Sequence, residues 1–276
     1  RHSRNGGEVP YASWNIGSLC FVSGVTITIP TIETFNQAFG NFTWNCTSQT
    51  AALSFAAQLT KVSGNMTVQS TGTGSLNLML GGGTGSYPTV VSGNYSQTGG
   101  TFYVIGSYTD VGEKTMEVAG NFSLTGGTFD IDGNSDSGSS AILYVGGNFN
   151  IASGTTFRES GSGTADVIFN GTTAQVFTSG ATLSGTIDFT VNSGATLQMG
   201  TGASPSVISN ATNGTFTLSA GGTLGITSTA GITTSGATGN IQLTGTRTYA
   251  TGANYIYNGT SAQVTGNGLT QNTPAN

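Results

Sequence analysis

Val118-Ala119-Gly120-Asn121-Phe122-Ser123 is one of four copies of a short phrase that recurs at nearly equal intervals. The other copies begin at Val62, Val91 and Val145, which gives a period of about 27 residues. A fixed period in this range is typical of repeat proteins, whose units bury their apolar faces only against neighbouring units. The phrase therefore predicts a repeat architecture.

A second short phrase recurs with the same period, at a constant distance after the first. Gly99-Gly100-Thr101-Phe102 returns as Gly126-Gly127-Thr128-Phe129 and then as Ser153-Gly154-Thr155-Thr156-Phe157, so its threonines repeat with the period of the first phrase. Polar and apolar residues alternate between these phrases, and Gly-Gly and Ser-Gly pairs interrupt the alternation. This pattern predicts many short strands joined by tight turns.

The composition favours strands over helices. The chain has 276 residues, of which 45 are Gly, 5 are Pro and 17 are charged (6 Lys+Arg and 11 Asp+Glu). Charged residues normally cover the exposed faces of helices, so their scarcity excludes helical repeats. A disordered chain would be richer in charge and poorer in regularly spaced aromatic residues.

The sequence predicts an all-β protein, a parallel β-solenoid (right-handed β-helix) with about 27 residues per coil. A β-propeller needs blades of about 40–50 residues, which is longer than this period. In a solenoid, residues at equivalent positions stack at about 4.8 Å, and asparagines at the turns can use left-handed backbone angles and join their amides along the stack. The expected structural ladders are Val91, Val118 and Val145; Asn94, Asn121 and Asn148; and Tyr95, Phe122 and Phe149.

The domain organisation is predicted from where the repeats are regular. Residues 1–60 are less repetitive and contain both Trp and both Cys, so we expect them to form an atypical first coil or cap. Residues 61–276 are expected to form one continuous solenoid. The phase weakens after residue 160, where Thr196-Leu197 follows Thr182-Leu183 by only about half a coil, and two domains joined near there remain an alternative.

Several of these phrases resemble the large repetitive surface and secreted proteins of Bacteroidota that are exported by the type IX secretion system. The resemblance rests on the Val-x-Gly-Asn-Phe-Ser and Gly-Gly-Thr-Phe phrases, on the Asn-Gly-Thr segments near residues 170 and 258, and on the opening Ser13-Trp14-Asn15 with Phe42-Thr43-Trp44-Asn45-Cys46. It implies a secreted, extracellular or cell-surface protein that is adhesin-like or forms filaments. The chain does not begin with Met and carries no recognisable sorting domain at its end, so we expect a processed chain or a piece of a longer protein.

Charge and hydropathy limit the partners. Nucleic-acid binding needs clusters of Lys and Arg, whereas this chain has only six basic residues and a net charge of −5. No stretch approaches the roughly 20 consecutive apolar residues of a membrane helix. We expect no nucleic-acid partner and no membrane insertion; the expected partners are other copies of the chain or neighbouring repeats, and surface glycans.

Catalytic chemistry has few candidates. His2, the only histidine, lies at the start of the chain, where it is poorly placed for a triad or a metal site. Carboxylates that cleave glycans act in close pairs, and two acidic groups lie about one coil apart: Asp110, Glu113 and Glu117, and Asp130, Asp132 and Asp136. The favoured interpretation is that they are solvated turn residues, and no enzymatic activity is expected.

The sequence Asp130-Ile131-Asp132-Gly133-Asn134-Ser135-Asp136 places oxygen-bearing side chains at alternating positions, which suits Ca²⁺. It departs from the EF-hand loop because its glycine is at the fourth position and Ala141 is at the twelfth. A calcium site formed by Asp130, Asp132, Asn134 and Asp136 is one prediction, and an ordinary polar loop is the alternative. No other cofactor is expected.

Cys20 and Cys46 are separated by almost one coil of the chain. Stacking in adjacent coils would bring their Cα atoms to about 5 Å, within the range that a disulfide accepts. We therefore predict a Cys20–Cys46 disulfide, as an exported protein would permit. Two buried free thiols are the alternative.

Three functions are compatible with these features. The first is an extracellular structural or adhesive surface protein, a repeat-built stalk or filament component. The second is a polysaccharide-binding or polysaccharide-degrading β-helix protein. The third, an ice-binding solenoid, would need regular arrays of Thr-x-Thr, and no such array repeats with the period of the coils.

Overall fold

The computed structural model describes residues 1–29, 32–79, 87–106, 112–201, 206–209 and 212–270. Two short 3₁₀ helices, Ile32–Phe35 and Gly268–Thr270, are the helical elements of this part of the chain. Its strands are, in chain order, β1 Leu19–Ser23, β2 Ala38–Phe39, β3 Asn41–Asn45, β4 Ala52–Ser54, β5 Lys61–Val62, β6 Met66–Ser70, β7 Ser75–Met79, β8 Tyr87–Val91, β9 Tyr95–Ile105, β10 Gly112–Val118, β11 Phe122–Asp132, β12 Ser139–Val145, β13 Phe149–Ile151, β14 Thr156–Arg158, β15 Thr164–Phe169, β16 Gln175–Ser179, β17 Thr182–Ser184, β18 Ile187–Val191, β19 Thr196–Met199, β20 Phe216–Leu218, β21 Thr223–Ile226, β22 Arg247–Tyr249 and β23 Asn254–Tyr257.

The strands form two parallel sheets that the chain visits in turn. Sheet A runs β1-β3-β6-β9-β11-β13-β16-β19-β21-β23, with β4, β7, β14 and β17 paired beside this path. Sheet B runs β2-β5-β8-β10-β12-β15-β18-β20-β22. The pairings between these strands are parallel. The predicted all-β parallel solenoid with about 27 residues per coil is confirmed.

The valine ladder is confirmed. Val91 pairs in register with Val118, which pairs with Val145, and all three side chains are buried. The column begins earlier, at Phe39, and continues through Phe169 to Tyr249. Stacking one valine on the next gives each coil the apolar neighbour that it lacks alone.

The aromatic ladder is also confirmed. The ring of Phe122 stacks between Tyr95 and Phe149, with centroid distances of 5.1 and 4.8 Å, and Phe177 extends the stack at 5.5 Å from Phe149. A second stack, formed by Phe102, Phe129 and Phe157, meets the first edge to face. Two perpendicular aromatic stacks therefore fill the middle of the solenoid, in geometries that aromatic pairs prefer.

The asparagines form a ladder of side chain to backbone hydrogen bonds. The Oδ1 atom of Asn94 accepts the backbone N–H of Asn121, and Asn121 Oδ1 accepts that of Asn148, both at 2.8 Å. The ladder starts at Asn41 and ends on the N–H of Val176. The predicted amide ladder is confirmed, but the predicted left-handed angles are wrong, because the described non-glycine residues with positive φ are Ala56 and Ala57.

The glycine before each asparagine is explained by close backbone approach. The N–H of Gly120 donates to the carbonyl of Gly93, and the N–H of Gly147 donates to that of Gly120, each at 2.9 Å. A Cβ on Gly120 would lie 2.5 Å from Asn94 Oδ1, closer than real Cβ contacts come. The Gly-Asn pair is therefore required as a unit.

Coil length varies more than the repeated phrases indicate. The inward residue that follows Val145 in sheet B is Phe169, and the next is Val191, so both of these coils are shorter than the one from Val118 to Val145. In sheet A, Phe129 pairs with Phe157 rather than with the preceding threonine, because the third copy of the second phrase has one extra residue. Thr182-Leu183 and Thr196-Leu197, which lie only about half a coil apart in the sequence, belong to β17 and β19. β17 pairs with β14, whereas β19 pairs with β16.

A glutamine turn accounts for the Asn-Gly-Thr segments. Gln175 accepts the N–H of Gly171 and donates through Nε2 to the carbonyls of Val145 and Gly147. Gln263 repeats the arrangement, accepting the N–H of the glycine in its own segment and donating to two carbonyls of the preceding coil. One side chain thus closes its own turn and ties it to the coil before, which explains why the segment recurs.

The N-terminal region belongs to the same two sheets. β1 and β3 lie in sheet A and β2 lies in sheet B. Its interior is aromatic, with Phe35 packed against Phe55 at 4.9 Å and Trp44 against Phe55 at 5.8 Å. The buried apolar residues form one cluster that extends from this region to Ala253.

The predicted disulfide is wrong. Cys20 pairs in register with Phe42, so Cys46 lies four residues further along the strand direction, about 13 Å away at the rise of a β-strand. A disulfide needs Cα atoms within about 7 Å. Both thiols are free and buried, and burial raises the pKa of each to about 11.

We expect alkylation to find two thiols. In denaturant without reductant, iodoacetamide should add two groups to the chain, because no bridge joins Cys20 and Cys46. Without denaturant at neutral pH, labelling should be slow, because buried thiols with a raised pKa hold little thiolate. Intact-mass measurement reads both results, and a denatured chain that takes up no label would contradict the register of β1 on β3.

Candidate functional site

The pairing of β9, β11 and β14 in sheet A positions a polar group on the side of the sheet that faces away from the aromatic core. Asp130 on β11 lies in register between Tyr103 on β9 and Arg158 on β14. These residues each follow an inward aromatic residue of the second stack, so strand alternation turns them outward. The aromatic core therefore holds this polar group in place.

Asp130 and Arg158 form an ion pair. Arg158 Nε donates to Asp130 Oδ2 at 2.6 Å, and Ser160 Oγ donates to the same oxygen at 2.7 Å. The carboxylate is fully buried, whereas the Arg158 side chain is 35% exposed and also reaches Tyr103. The other oxygen, Asp130 Oδ1, has no hydrogen-bond partner among the described residues. Burial raises the pKa of Asp130 to about 6, although Ser160 and Arg158 act in the opposite direction.

Asp132 and Glu159 complete the group. Asp132 accepts hydrogen bonds from the backbone N–H of Asn134 and from Ser139 Oγ, both at 2.7 Å, and burial raises its pKa. Glu159 accepts the N–H of Thr186 through Oε2, while Oε1 has no partner among the described residues. The charge of Glu159 further raises the pKa of Asp132 and the pKa of Asp130. Because these carboxylates are buried, a polymer in solution does not reach them in this arrangement.

The residues predicted to bind calcium form a series of tight turns. Asp132, Asn134 and Asp136 each accept, through Oδ1, the backbone N–H of the residue two positions later, at 2.7–3.1 Å. Asn and Asp favour such turns because the side chain replaces a backbone acceptor. Within the described ranges, no group of three or more His, Cys, Asp or Glu side chains is arranged to hold a metal. Calcium at Asp130, Asp132, Asn134 and Asp136 stays a prediction.

The two predicted acidic groups do not meet. Asp110 lies outside the described residues. Glu113 and Glu117 are exposed on β10 in sheet B, whereas Asp130 and Asp132 are buried on β11 in sheet A. The alternative in which the two groups converge is wrong for Glu113 and Glu117, because the intervening turn carries the chain into the other sheet. The favoured interpretation as solvated turn residues is wrong for Asp130 and Asp132, which are buried on a strand.

A second carboxylate pair lies on the outer surface of sheet B. Asp166 on β15 pairs in register with Asp188 on β18, so the two residues occupy equivalent positions on neighbouring strands, which lie about 4.8 Å apart. Both are partly exposed, and Asp188 accepts the N–H of Thr215 at 2.7 Å. Burial, and then the charges of Asp188 and Glu113, raise the pKa of Asp166 to about 6.

We expect Asp166→Asn to stabilise the protein, and more at high pH. A raised pKa means that the folded state keeps a proton that the unfolded chain loses between pH about 4 and about 6, so the free energy of unfolding falls through that window and is constant above it. Removing the ionisable group should raise the free energy of unfolding by about 1–2 kcal/mol at pH 8 and by about half of that at pH 5. Urea denaturation at the two pH values measures the gain.

The matched control is Glu117→Gln, which removes the same charge from an exposed position on the same sheet. We expect it to change stability by less than about 0.5 kcal/mol. A loss of stability in Asp166→Asn, or an equal gain at both pH values, would contradict the stacked pair.

Sequence reasoning missed Tyr103, Arg158, Ser160 and Glu159. The signal was present, since Tyr103 and Arg158 lie about one coil before and one coil after Asp130. Without the register of the strands, however, a spacing of about one coil from Asp130 also fits the residues on either side of Tyr103 and of Arg158.

His2 takes part in the fold. It forms a parallel bridge with Val22, and its ring nitrogen donates to the carbonyl of Arg4 at 2.7 Å. Among the described residues, no helix has the length and apolar character needed to cross a membrane.

Outward hydroxyl groups form regular columns on sheet A. Residues at equivalent positions of β6, β9, β11, β13 and β16 are polar and at least partly exposed, namely Thr67, Ser96, Ser123, Asn150 and Thr178. A second column contains Ser75, Thr101, Thr128 and Thr156. The columns present hydrogen-bonding groups at the spacing of the coils.

Comparison of the chain with protein-family models, with curated proteins and with solved structures gives no match.

Proposed function

We propose that this protein is an extracellular structural and adhesive surface protein, a stiff stalk or filament component that has no enzymatic activity. The observation that supports this most is continuity, because one apolar cluster extends from Val9 to Ala253 and both sheets run through the repeats without a break in pairing. A body with one core and hydrogen bonds between successive coils resists bending, as a spacer must.

The outer surface supports the adhesive part of the proposal. The columns led by Thr67 and Ser75 present neutral hydroxyl and amide groups at regular intervals. Such groups exchange hydrogen bonds with glycans. Surface glycans, other copies of the chain and neighbouring repeats of a longer protein are the proposed partners.

Adhesion under flow tests this proposal. Beads carrying the protein through a C-terminal tag are passed over slides coated with amylose, cellulose or mannan, beside beads carrying albumin. We expect at least threefold greater retention of the protein-coated beads on one or more polysaccharides, without release of reducing sugar. Retention equal to that of albumin on every surface would overturn the adhesive function, and negative-stain images of the native assembly without rods or filaments would overturn the structural one.

A second candidate function, polysaccharide cleavage, is favoured by the Asp166–Asp188 pair. Glycosidases that retain configuration hold two carboxyl groups about 5–5.5 Å apart, and one of the two keeps a raised pKa to act as the acid. Asp166 and Asp188 stack in adjacent coils, and Asp166 has a pKa of about 6. Release of reducing sugar from the same polysaccharides, abolished in both Asp166→Asn and Asp188→Asn, would establish this function in place of the first.

A further inference from the structure

A groove of about 450 Å³ opens on the side of the solenoid near its C-terminal end. Its walls are the turn at residues 227–230 and the loop at residues 237–242, and Thr201, Val207, Thr260 and Ser261 complete the lining. Small-molecule sites in proteins have volumes of about 300–1,000 Å³, so the groove has the size of a ligand site.

The groove lies where two successive connections from sheet A to sheet B, residues 200–215 and residues 227–246, are long. The chain takes residues 227–246 to pass from β21 in sheet A to β22 in sheet B, whereas residues 133–138 suffice between β11 and β12. Insertions in repeat proteins form loops on one face, which is often the binding face. Ile232, Ile241 and Leu243 of the second connection are buried in the core, and the groove lies between its turn at residues 227–230 and its loop at residues 237–242.

A buried asparagine fixes the loop. Asn240 is 2% exposed; its Oδ1 accepts the N–H groups of Thr227 and Ser228, and its Nδ2 donates to the carbonyl of Ser206 and to Thr227 Oγ1, all at 2.8–2.9 Å. Every hydrogen-bonding position of this amide is used. The loop is therefore held against its neighbours before any ligand arrives, which lowers the entropic cost of binding.

Arg247 holds the far side of the same loop. Its guanidinium donates to Thr233 Oγ1 at 2.8 Å and to the carbonyls of Gly236 and Leu243. Ile208 and Ile241 add a parallel bridge beneath the groove, with backbone hydrogen bonds of 2.8 Å on both sides. The groove is thus a built cavity with rigid walls.

The lining is neutral and rich in hydroxyl groups. Its exposed polar side chains include those of Thr229, Thr238, Thr260 and Ser261, and Gln242 adds an amide. Small apolar surfaces lie between them and come from Val207, Ala230 and Ala237. No Asp, Glu, Lys or Arg is among the described residues that line it. Hydroxyl and amide groups both donate and accept hydrogen bonds, so they complement a ligand that does the same.

We propose that this groove binds a neutral oligosaccharide. A sugar ring offers hydroxyl groups that exchange hydrogen bonds with the threonines, and C–H faces that fit the alanine and valine surfaces. An anionic ligand would find no cation among the described lining residues, and a purely apolar ligand would leave the hydroxyl groups unpaired. The inference deepens the proposed adhesive function and rests on it, because it names the class of glycan and the place where it binds.

Binding of short glycans to the full chain tests the groove. Maltotetraose, cellotetraose and mannotetraose are the neutral probes, and tetragalacturonate is the anionic comparison, read by saturation-transfer NMR and by calorimetry. Ala237→Arg places a long charged side chain at the groove from an exposed loop position, and Thr260→Val removes one hydroxyl. Ala119→Arg makes the same exchange at an exposed position on a distant coil and is the matched control.

We expect at least one neutral tetrasaccharide to bind the natural chain and Ala119→Arg with equal affinity. Ala237→Arg should weaken that binding at least tenfold and Thr260→Val several-fold, with unchanged circular dichroism. Binding of none of the neutral probes, equal binding by Ala237→Arg, or preference for tetragalacturonate would overturn the groove as a neutral-glycan site. Failure of the groove proposal is distinguishable from failure of the adhesive function. If Ala237→Arg binds the tetrasaccharides normally and the protein-coated beads still adhere, the groove is not the glycan site and adhesion occurs elsewhere on the solenoid.

Discussion

Replacing Phe122 with Ala is expected to lower the free energy of unfolding by about 3–5 kcal/mol. Phe122 is fully buried and contacts both aromatic stacks, lying 4.8 Å from Phe149 and 4.9 Å from Phe129 between ring centroids. Truncation removes the apolar burial and leaves a cavity that the rigid coils on either side cannot close. Urea or thermal unfolding followed by circular dichroism measures the loss.

Phe122→Leu is the matched control, because it keeps an apolar side chain of intermediate size at the same position. Its cost should be clearly smaller than that of the alanine variant. A loss below about 1 kcal/mol in Phe122→Ala would show that the ring does not lie in the stacked core.

Gly120→Ala is expected to destabilise the protein by about 3 kcal/mol, although it adds only one methyl group. Its Cβ would lie 2.5 Å from Asn94 Oδ1 and 2.7 Å from the carbonyl oxygen of Gly93. Both atoms belong to hydrogen-bond ladders, so relief of the clash requires adjacent coils to separate. The same unfolding experiment reports the loss.

The repeats themselves supply the control for this substitution. The position before the glycine tolerates side chains, since it is occupied in the four copies by Ser63, Ser92, Ala119 and Gly146. Ala119→Ser should therefore change stability by less than about 0.5 kcal/mol. If Gly120→Ala were as mild as Ala119→Ser, the glycine ladder would not be a close backbone contact.

The repeated phrases predicted the fold and its ladders because, in a stacked solenoid, residues one period apart in the sequence are neighbours in space. Val91 meets Val118 since the coil between them keeps the period of the repeats. The same rule failed for Cys20, which begins a shorter coil and pairs with Phe42. An average period places a residue in the right coil but does not place it in the right register.

The carboxylates show the same limit at the candidate site. Spacing alone allowed Glu113 and Glu117 to lie near Asp130, but the turn between β10 and β11 puts them in different sheets. Only the register of β11 on β14 places Arg158 beside Asp130, and it depends on one extra residue near Thr155. Single insertions in turns therefore decide which charges are paired.

The periodicity of the sequence was enough to predict that the chain is all-β, that it is a parallel solenoid of about 27 residues per coil, and which valines, asparagines and aromatic residues stack. These features follow from short-range periodicity, which each coil repeats. Other features are visible only in the folded chain: Cys20 and Cys46 are apart, Asp166 pairs in register with Asp188, and the loop at residues 237–242 forms one wall of a neutral groove. Those features depend on the lengths of individual turns and on contacts across coils, such as those of Asn240, which periodicity does not specify.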